Sequence, residues 1–206
     1  MSTRILSEAL TGTSVDLPAG TPLLEADGIV LATGANERVV PFPGWDLPGV
    51  LTVGGAQALL KGQALRPGRA VVVAGAGPLL LPVAAALARV RTHLVAVTDA
   101  NDPRTWLSGS PRGLRPATVR EGAAHLAALT RRGVRVRPRT AAVAARGDGR
   151  VEEVVLARLH RDWTPVPGSE RTVAAEALAT SHGFVPDIGL AVSLGCTLDT
   201  ADATSP

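Results

Sequence analysis

Tyrosine is absent from this chain of 206 residues, which holds only two phenylalanines, three tryptophans, one methionine, one lysine and one cysteine. So few rings argue against a surface that stacks the bases of single-stranded nucleic acid. The lone Cys196 excludes an internal disulfide, a CxxC redox pair and a cysteine-rich metal site within the chain. No apolar run approaches the roughly 18 residues that span a bilayer. The longest, Leu79 to Ala88, is interrupted by Pro82. The start, Met1-Ser-Thr-Arg4, has no apolar signal core, so a cytoplasmic protein is expected. Lys61 is the sole lysine among 21 basic residues, and the net charge is only +3. That is arginine used in place of lysine, not the charge excess of a nucleic-acid binder.

What is present is a core. Hydrophobic residues make up 46% of the chain, enough for one or two folded domains, and 22 glycines with 16 prolines supply many turns. The clearest unit begins at Arg69–Ala74 (RAVVVA), an apolar, β-branched run bounded by glycines, which predicts a buried parallel strand. Gly75-Ala76-Gly77 is the turn. Pro78 stands where a helix starts, a position at which its missing N–H costs nothing. Leu79–Val90 reads as a buried helix, Leu94–Thr98 as the next strand, and Asp99 follows it. Ala117–Arg132 is an amphipathic helix ended by Gly133. Val134–Val143, Val151–His160, Val173–Ala175 and Ala177–Thr180 read as strands, and Ile188–Leu194 as a short helix. Upstream, Asp27–Ala32 predicts a buried strand, residues 39–53 a breaker-rich connection, and residues 54–65 a helix.

The alternation predicts an α/β fold: a Rossmann-like, doubly wound parallel sheet with a small β excursion near 134–160. The expected division is a partial dinucleotide fold and linker at 1–50, a central Rossmann domain at 51–172, and a return segment at 173–206. Trp45, within Pro41-Phe-Pro-Gly-Trp45, is expected as a packing anchor between domains. Arg131, Arg132, Arg135, Arg137 and Arg139 form a basic cluster. Strand alternation places the last three on one face, either solvated or binding phosphate.

Three positions carry chemistry. Glycines between a strand and a helix let backbone N–H groups reach a pyrophosphate at the positive end of the helix. Gly75, Ala76, Gly77 and Pro78 are therefore candidates for binding NAD(P) or ATP. Asp99 lies 24 residues after Gly75, where an acid meets ribose hydroxyls, and its charge favours NAD over NADP. Leu80 occupies the third glycine position of the fingerprint, and Leu79 is expected to face the phosphate space. A βαβ unit that keeps the turn and binds nothing is the alternative. Ala32-Thr33-Gly34 closes the predicted first strand and alone is ordinary turn chemistry. The four histidines show no metal-ligand spacing, and no residue offers itself as a catalytic acid, base or redox thiol.

Leu31–Gln63 (LATGANERVVPFPGWDLPGVLTVGGAQALLKGQ) and Val71–Ala84 (VVVAGAGPLLLPVA) carry a resemblance. They are similar to the FAD/NAD(P)-binding pyridine nucleotide-disulfide oxidoreductases. The nearest likeness is to α subunits of flavin-dependent amino-acid dehydrogenases, of the opine oxidase, proline or hydroxyproline dehydrogenase and hydrogen cyanide synthase B types. The likeness covers most of 27–195. It implies that Ala32, Thr33 and Gly34 contact FAD, that Gly75 to Leu81 opens the nucleotide domain, and that Gly183 to Pro186 returns to the FAD domain. Full members carry an earlier GxGxxG and a later Gly-Asp motif, so this chain is expected to be the middle portion of such a protein. The implied activity is flavin-dependent oxidation of an amino or imino acid, and the implied partner is a flavin-containing β subunit. The alternatives are a non-catalytic adenine-nucleotide-binding or scaffold module and a truncated gene product whose Leu31 and Leu178 strands lack neighbours.

Overall fold

The computed structural model describes residues 28–77, 79–102 and 116–198. In chain order the elements are β1 (Ala35–Glu37), β2 (Val50–Thr52), α1 (Val53–Gln63), β3 (Ala70–Ala76), α2 (Leu80–Arg89), β4 (His93–Asp99) and α3 (Pro116–Thr130). There follow β5 (Val136–Pro138), β6 (Thr140–Arg146), β7 (Glu153–Arg158), β8 (Arg171–Ala174), β9 (Ala177–His182), β10 (Phe184–Pro186) and α4 (Gly189–Ser193). The described residues fall into two compact units, one of 28–36 with 185–198 and the other of 37–184.

The larger unit is built on a five-stranded parallel sheet in the order β2-β9-β3-β4-β5. Successive side chains of a strand point to opposite faces, and here each face has its own cover. Val71 and Val73 of β3 and Ala177 and Ala179 of β9 pack with Val53 and Ala56 of α1 and with Leu80, Val83 and Leu87 of α2. Val72, Ala74 and Leu178 pack on the other face against Ala145, Val154 and Leu156 of the antiparallel β6-β7-β8 sheet. Coverage on both sides is why β3 reads as an unbroken apolar run rather than an alternating one. The excursion expected near 134–160 is thus a complete second layer.

Local chemistry sets the helix starts. The Thr52 hydroxyl accepts from the Gly55 N–H at 3.0 Å and caps α1. Pro82 falls in the first turn of α2, where N–H groups have no intrahelical acceptor to lose. The alanines of α2 let it lie close on the sheet.

Four expectations change. Residues 28–34 form no strand, and Ile29 and Val30 are 64% and 92% exposed. No described neighbour buries them, so an apolar run alone does not become a strand; Asp27 lies outside the described residues. The run 134–143 divides at Arg139, whose φ of +49° turns the chain from the parallel sheet into the antiparallel one. Trp45 is 45% exposed, and Phe42 and Leu47 supply the apolar contacts of that segment instead. Finally, β9 does not leave with the return segment. It sits between β2 and β3, with Leu178 in register with Val50 and Val72, so that strand has both neighbours.

Leu178 is fully buried at the middle of this sheet, whereas Leu190 on α4 is 49% exposed. Leu178→Ala is expected to cost about 2–5 kcal/mol, and Leu190→Ala under about 0.5 kcal/mol, in urea unfolding. Equal midpoint shifts would contradict the placement of β9.

Candidate functional site

The parallel strands bring the candidate residues to their shared C-terminal edge. Gly75 is in register with Ser181 of β9 on one side and Asp99 of β4 on the other, and Ala76 with His182. The Ala100 N–H donates to the Gly75 carbonyl at 2.7 Å and closes the β4 side. Gly75 has a φ of +134°, and a Cβ there would run into the Ser181 carbonyl. Its glycine is therefore required by the β3–β9 contact before any ligand is considered. Gly77 has a φ of +117°, and the place a Cβ would take lies 3.3 Å from the Gly183 nitrogen and 3.4 Å from Ser181 Oγ. That is a small cradle beside the start of α2, bordered also by the Gly183 Cα at 3.5 Å.

Helix α2 brings no side-chain cap to this cradle. The Leu80 N–H donates to the Gly77 carbonyl at 3.4 Å, and the positive end of the helix dipole lies behind this turn. Leu79 does not stand in the phosphate space as expected. It packs, partly buried, on the core formed by Leu80, Leu81 and Val83. The side chain of Ala76 packs with Ala100 and Leu159, which leaves only its backbone to meet a ligand. Pro78 lies outside the described residues.

Asp99 is partly buried, and burial raises its pKa; the Asn101 N–H, 2.9 Å from Oδ1, offsets part of that rise. Burial lowers the pKa of His182, so its imidazole is neutral near pH 7.

Thr33 and Gly34 lie in the smaller unit with Asp187. The Thr33 hydroxyl donates to the Asp187 carbonyl, and the Asp187 N–H donates to the Gly34 carbonyl at 3.0 Å. The hydroxyl oxygen keeps accepting capacity only. Gly34 has a φ of +76° with open space where a Cβ would stand. Ala32 is exposed.

Sequence reasoning passed over two groups. Glu37 Oε2 accepts from the Gly54 N–H at 2.7 Å and places a carboxylate at the N-terminus of α1. A Cβ on Gly54 would strike that carboxylate, so the Gly54-Gly55 pair opening the helix was the available signal. Ser181 is 2% exposed, and its hydroxyl has no hydrogen bond among the described residues. Two adjacent hydroxyl residues ending a buried strand, Thr180-Ser181, were its only mark. The arginine cluster does not converge. Arg132 Nε donates to the Ala88 carbonyl at 3.1 Å, Arg139 donates to the Leu159 carbonyl at 3.2 Å, and Arg135 and Arg137 are exposed. Among the described residues no His, Cys, Asp and Glu group could hold a metal, and no helix is long and apolar enough to cross a membrane.

A strand, a glycine turn, a helix start without a side-chain cap and an acid at the end of the next strand thus meet at this edge. The family model for pyridine nucleotide-disulphide oxidoreductases matches residues 8–204. The chain belongs to this family. Among curated relatives it is 35% identical over 173 residues to HcnB, a hydrogen cyanide synthase subunit of Pseudomonas aeruginosa, covering 84% of this chain and 37% of that protein. It is 33% identical over 191 residues to an opine oxidase subunit from Agrobacterium tumefaciens, covering 91% and 36%. Both relatives are named as subunits, and the chain spans little more than a third of their length. A FAD-dependent pyridine nucleotide-disulphide oxidoreductase from Desulfovibrio vulgaris shares the fold, with a TM-score of 0.58 at 24% identity over 85% of this chain and 40% of that one.

Two outcomes follow from the site. Gly75→Ala is expected to cost at least about 1–3 kcal/mol from strain alone, with or without ligand, in thermal or urea unfolding; an unchanged midpoint would contradict the β3–β9 approach. A carboxylate with a raised folded pKa costs stability while ionised, and that cost fades as pH falls through the folded pKa. Asp99→Asn should therefore raise the melting temperature at pH 7, and the gain should shrink in acid; a gain independent of pH would contradict the burial of this carboxylate.

Proposed function

We propose that the chain is the nucleotide-binding portion of a FAD/NAD(P)-dependent oxidoreductase that oxidises an amino or imino acid with the help of a partner subunit. The observation that supports it most is the edge shared by β3, β4 and β9. It sets the Gly77 cradle, the uncapped start of α2 and the Asp99 carboxylate side by side, which is what a dinucleotide's diphosphate and ribose require. The backbone at Gly75–Gly77 would take the diphosphate, and Asp99 the ribose hydroxyls. Ala32, Thr33 and Gly34 would meet FAD, with Gly34 open to close approach and Thr33 offering an acceptor to a ligand hydroxyl.

When bound, the flavin supplies the redox chemistry, accepting a hydride from substrate or nicotinamide. The residues of this chain position and bind. The larger unit is thus assigned as the NAD(P) domain and the smaller one as part of the FAD domain. The names of the relatives, subunits of a hydrogen cyanide synthase and of an opine oxidase, support an amine-bearing substrate and a multi-subunit assembly. A cytoplasmic location accords with this reading.

Titration with NADH, NADPH and ATP tests the assignment. Wild type should bind NADH more tightly than NADPH. Asp99→Arg should reverse that order by at least about tenfold, since Arg pairs with the 2′-phosphate that Asp repels. Gly77→Trp, filling the cradle, should abolish binding of both. An unchanged NADH to NADPH ratio in Asp99→Arg would remove Asp99 from the ribose, and ATP binding as tight as NADH would favour a non-catalytic nucleotide module.

A further inference from the structure

The hydroxyl of Ser181 has no structural use where it stands. The residue is 2% exposed in a strand whose same-face neighbours, Ala177 and Ala179, are packed in the core. Its hydroxyl bonds nothing among the described residues, yet it is not among the polar atoms sealed from solvent without a partner, so it stays within reach of a ligand. The hydroxyl is instead directed at the glycine turn, 3.4 Å from the place a Gly77 Cβ would take, with the Gly183 nitrogen 3.3 Å from the same place. The same turn leads into α2, which begins without a side-chain cap. A serine hydroxyl, a backbone amide and a helix start therefore meet at one small space left open by the absence of a side chain.

We infer that Ser181 Oγ is a phosphate-binding donor, which together with the Gly183 amide grips the diphosphate of the bound nucleotide from the β9 side while α2 holds it from the other. The inference rests on the dinucleotide reading of the Gly75–Gly77 turn and deepens it. The diphosphate is clasped between two strands' ends, β3 and β9, rather than resting on one turn. Serine suits the position because its hydroxyl can rotate towards an anionic oxygen, and hydrogen bonds to charged acceptors are the stronger kind. The grip belongs to the phosphate group, so it should be shared by every diphosphate ligand and be indifferent to the nicotinamide ring.

Ser181→Ala in the full chain tests this by calorimetric titration with NADH and with ADP, beside thermal melting without ligand. Losing one hydrogen bond to a charged group should weaken both ligands by about tenfold or more, and by a similar factor. The ligand-free melting temperature should stay the same or rise, because the variant removes a hydroxyl that bonds nothing among the described residues. Wild-type affinity for both ligands in the variant would overturn the role of Ser181 and leave the dinucleotide reading standing. A loss with NADH but not ADP would overturn the phosphate contact. A drop in the ligand-free melting temperature would assign the hydroxyl to folding and overturn the inference. Absence of NADH and ADP binding in wild type would overturn both the inference and the reading beneath it.

Discussion

Strand β9 enters the parallel sheet between β2 and β3, and its close approach to β3 is the constraint from which the site follows. Gly75 must be glycine because the Ser181 carbonyl occupies the space beside its Cα. The same approach carries Ser181 and Gly183 up to the turn at Gly77. Without β9 in that place, β3 would end in a glycine turn with one open side and half a cradle. The sheet's two covers depend on it as well, since Ala177 and Ala179 serve the helical face and Leu178 the face under β6–β8.

This makes the glycines of the turn unlike one another. Gly75 answers to backbone packing and would be needed in a protein that bound nothing. Gly77 leaves open a space bordered by the Gly183 nitrogen and Cα and by Ser181 Oγ. Leu80, in the position where a small residue is usual, is absorbed by the core between α2 and the sheet, so its bulk does not intrude on the cradle. Asp99 is kept at the edge despite the penalty that burial places on its charge. On the proposed reading, that cost is borne for a ligand rather than for stability.

Much of the architecture was legible in the sequence because it is local. The run Val71–Ala74, bounded by glycines and followed by an alanine-rich apolar helix, states a strand, turn and helix within some twenty residues. Asp99 was found by its spacing. The rest depended on distant partners. Ala177–Thr180 reads as a strand, but parallel pairing has no connecting turn to fix its neighbours, and Val72 lies about a hundred residues away. The break at Arg139 was hidden because a left-handed arginine has no sequence mark. Ser181 was missed for the same reason as β9: its meaning comes from Gly77, across the sheet. Ile29 and Val30 misled because apolar sequence predicts burial only where a neighbour exists to bury it.

The most direct test of a nucleotide site at this edge is backbone hydrogen exchange of the full chain with and without saturating NADH. Exchange should slow at Gly77, at the first turn of α2 and at Gly183, since these amides line the cradle. Binding that leaves those amides unchanged, or that protects only the opposite end of the sheet around Arg69, Arg150 and Glu176, would contradict it.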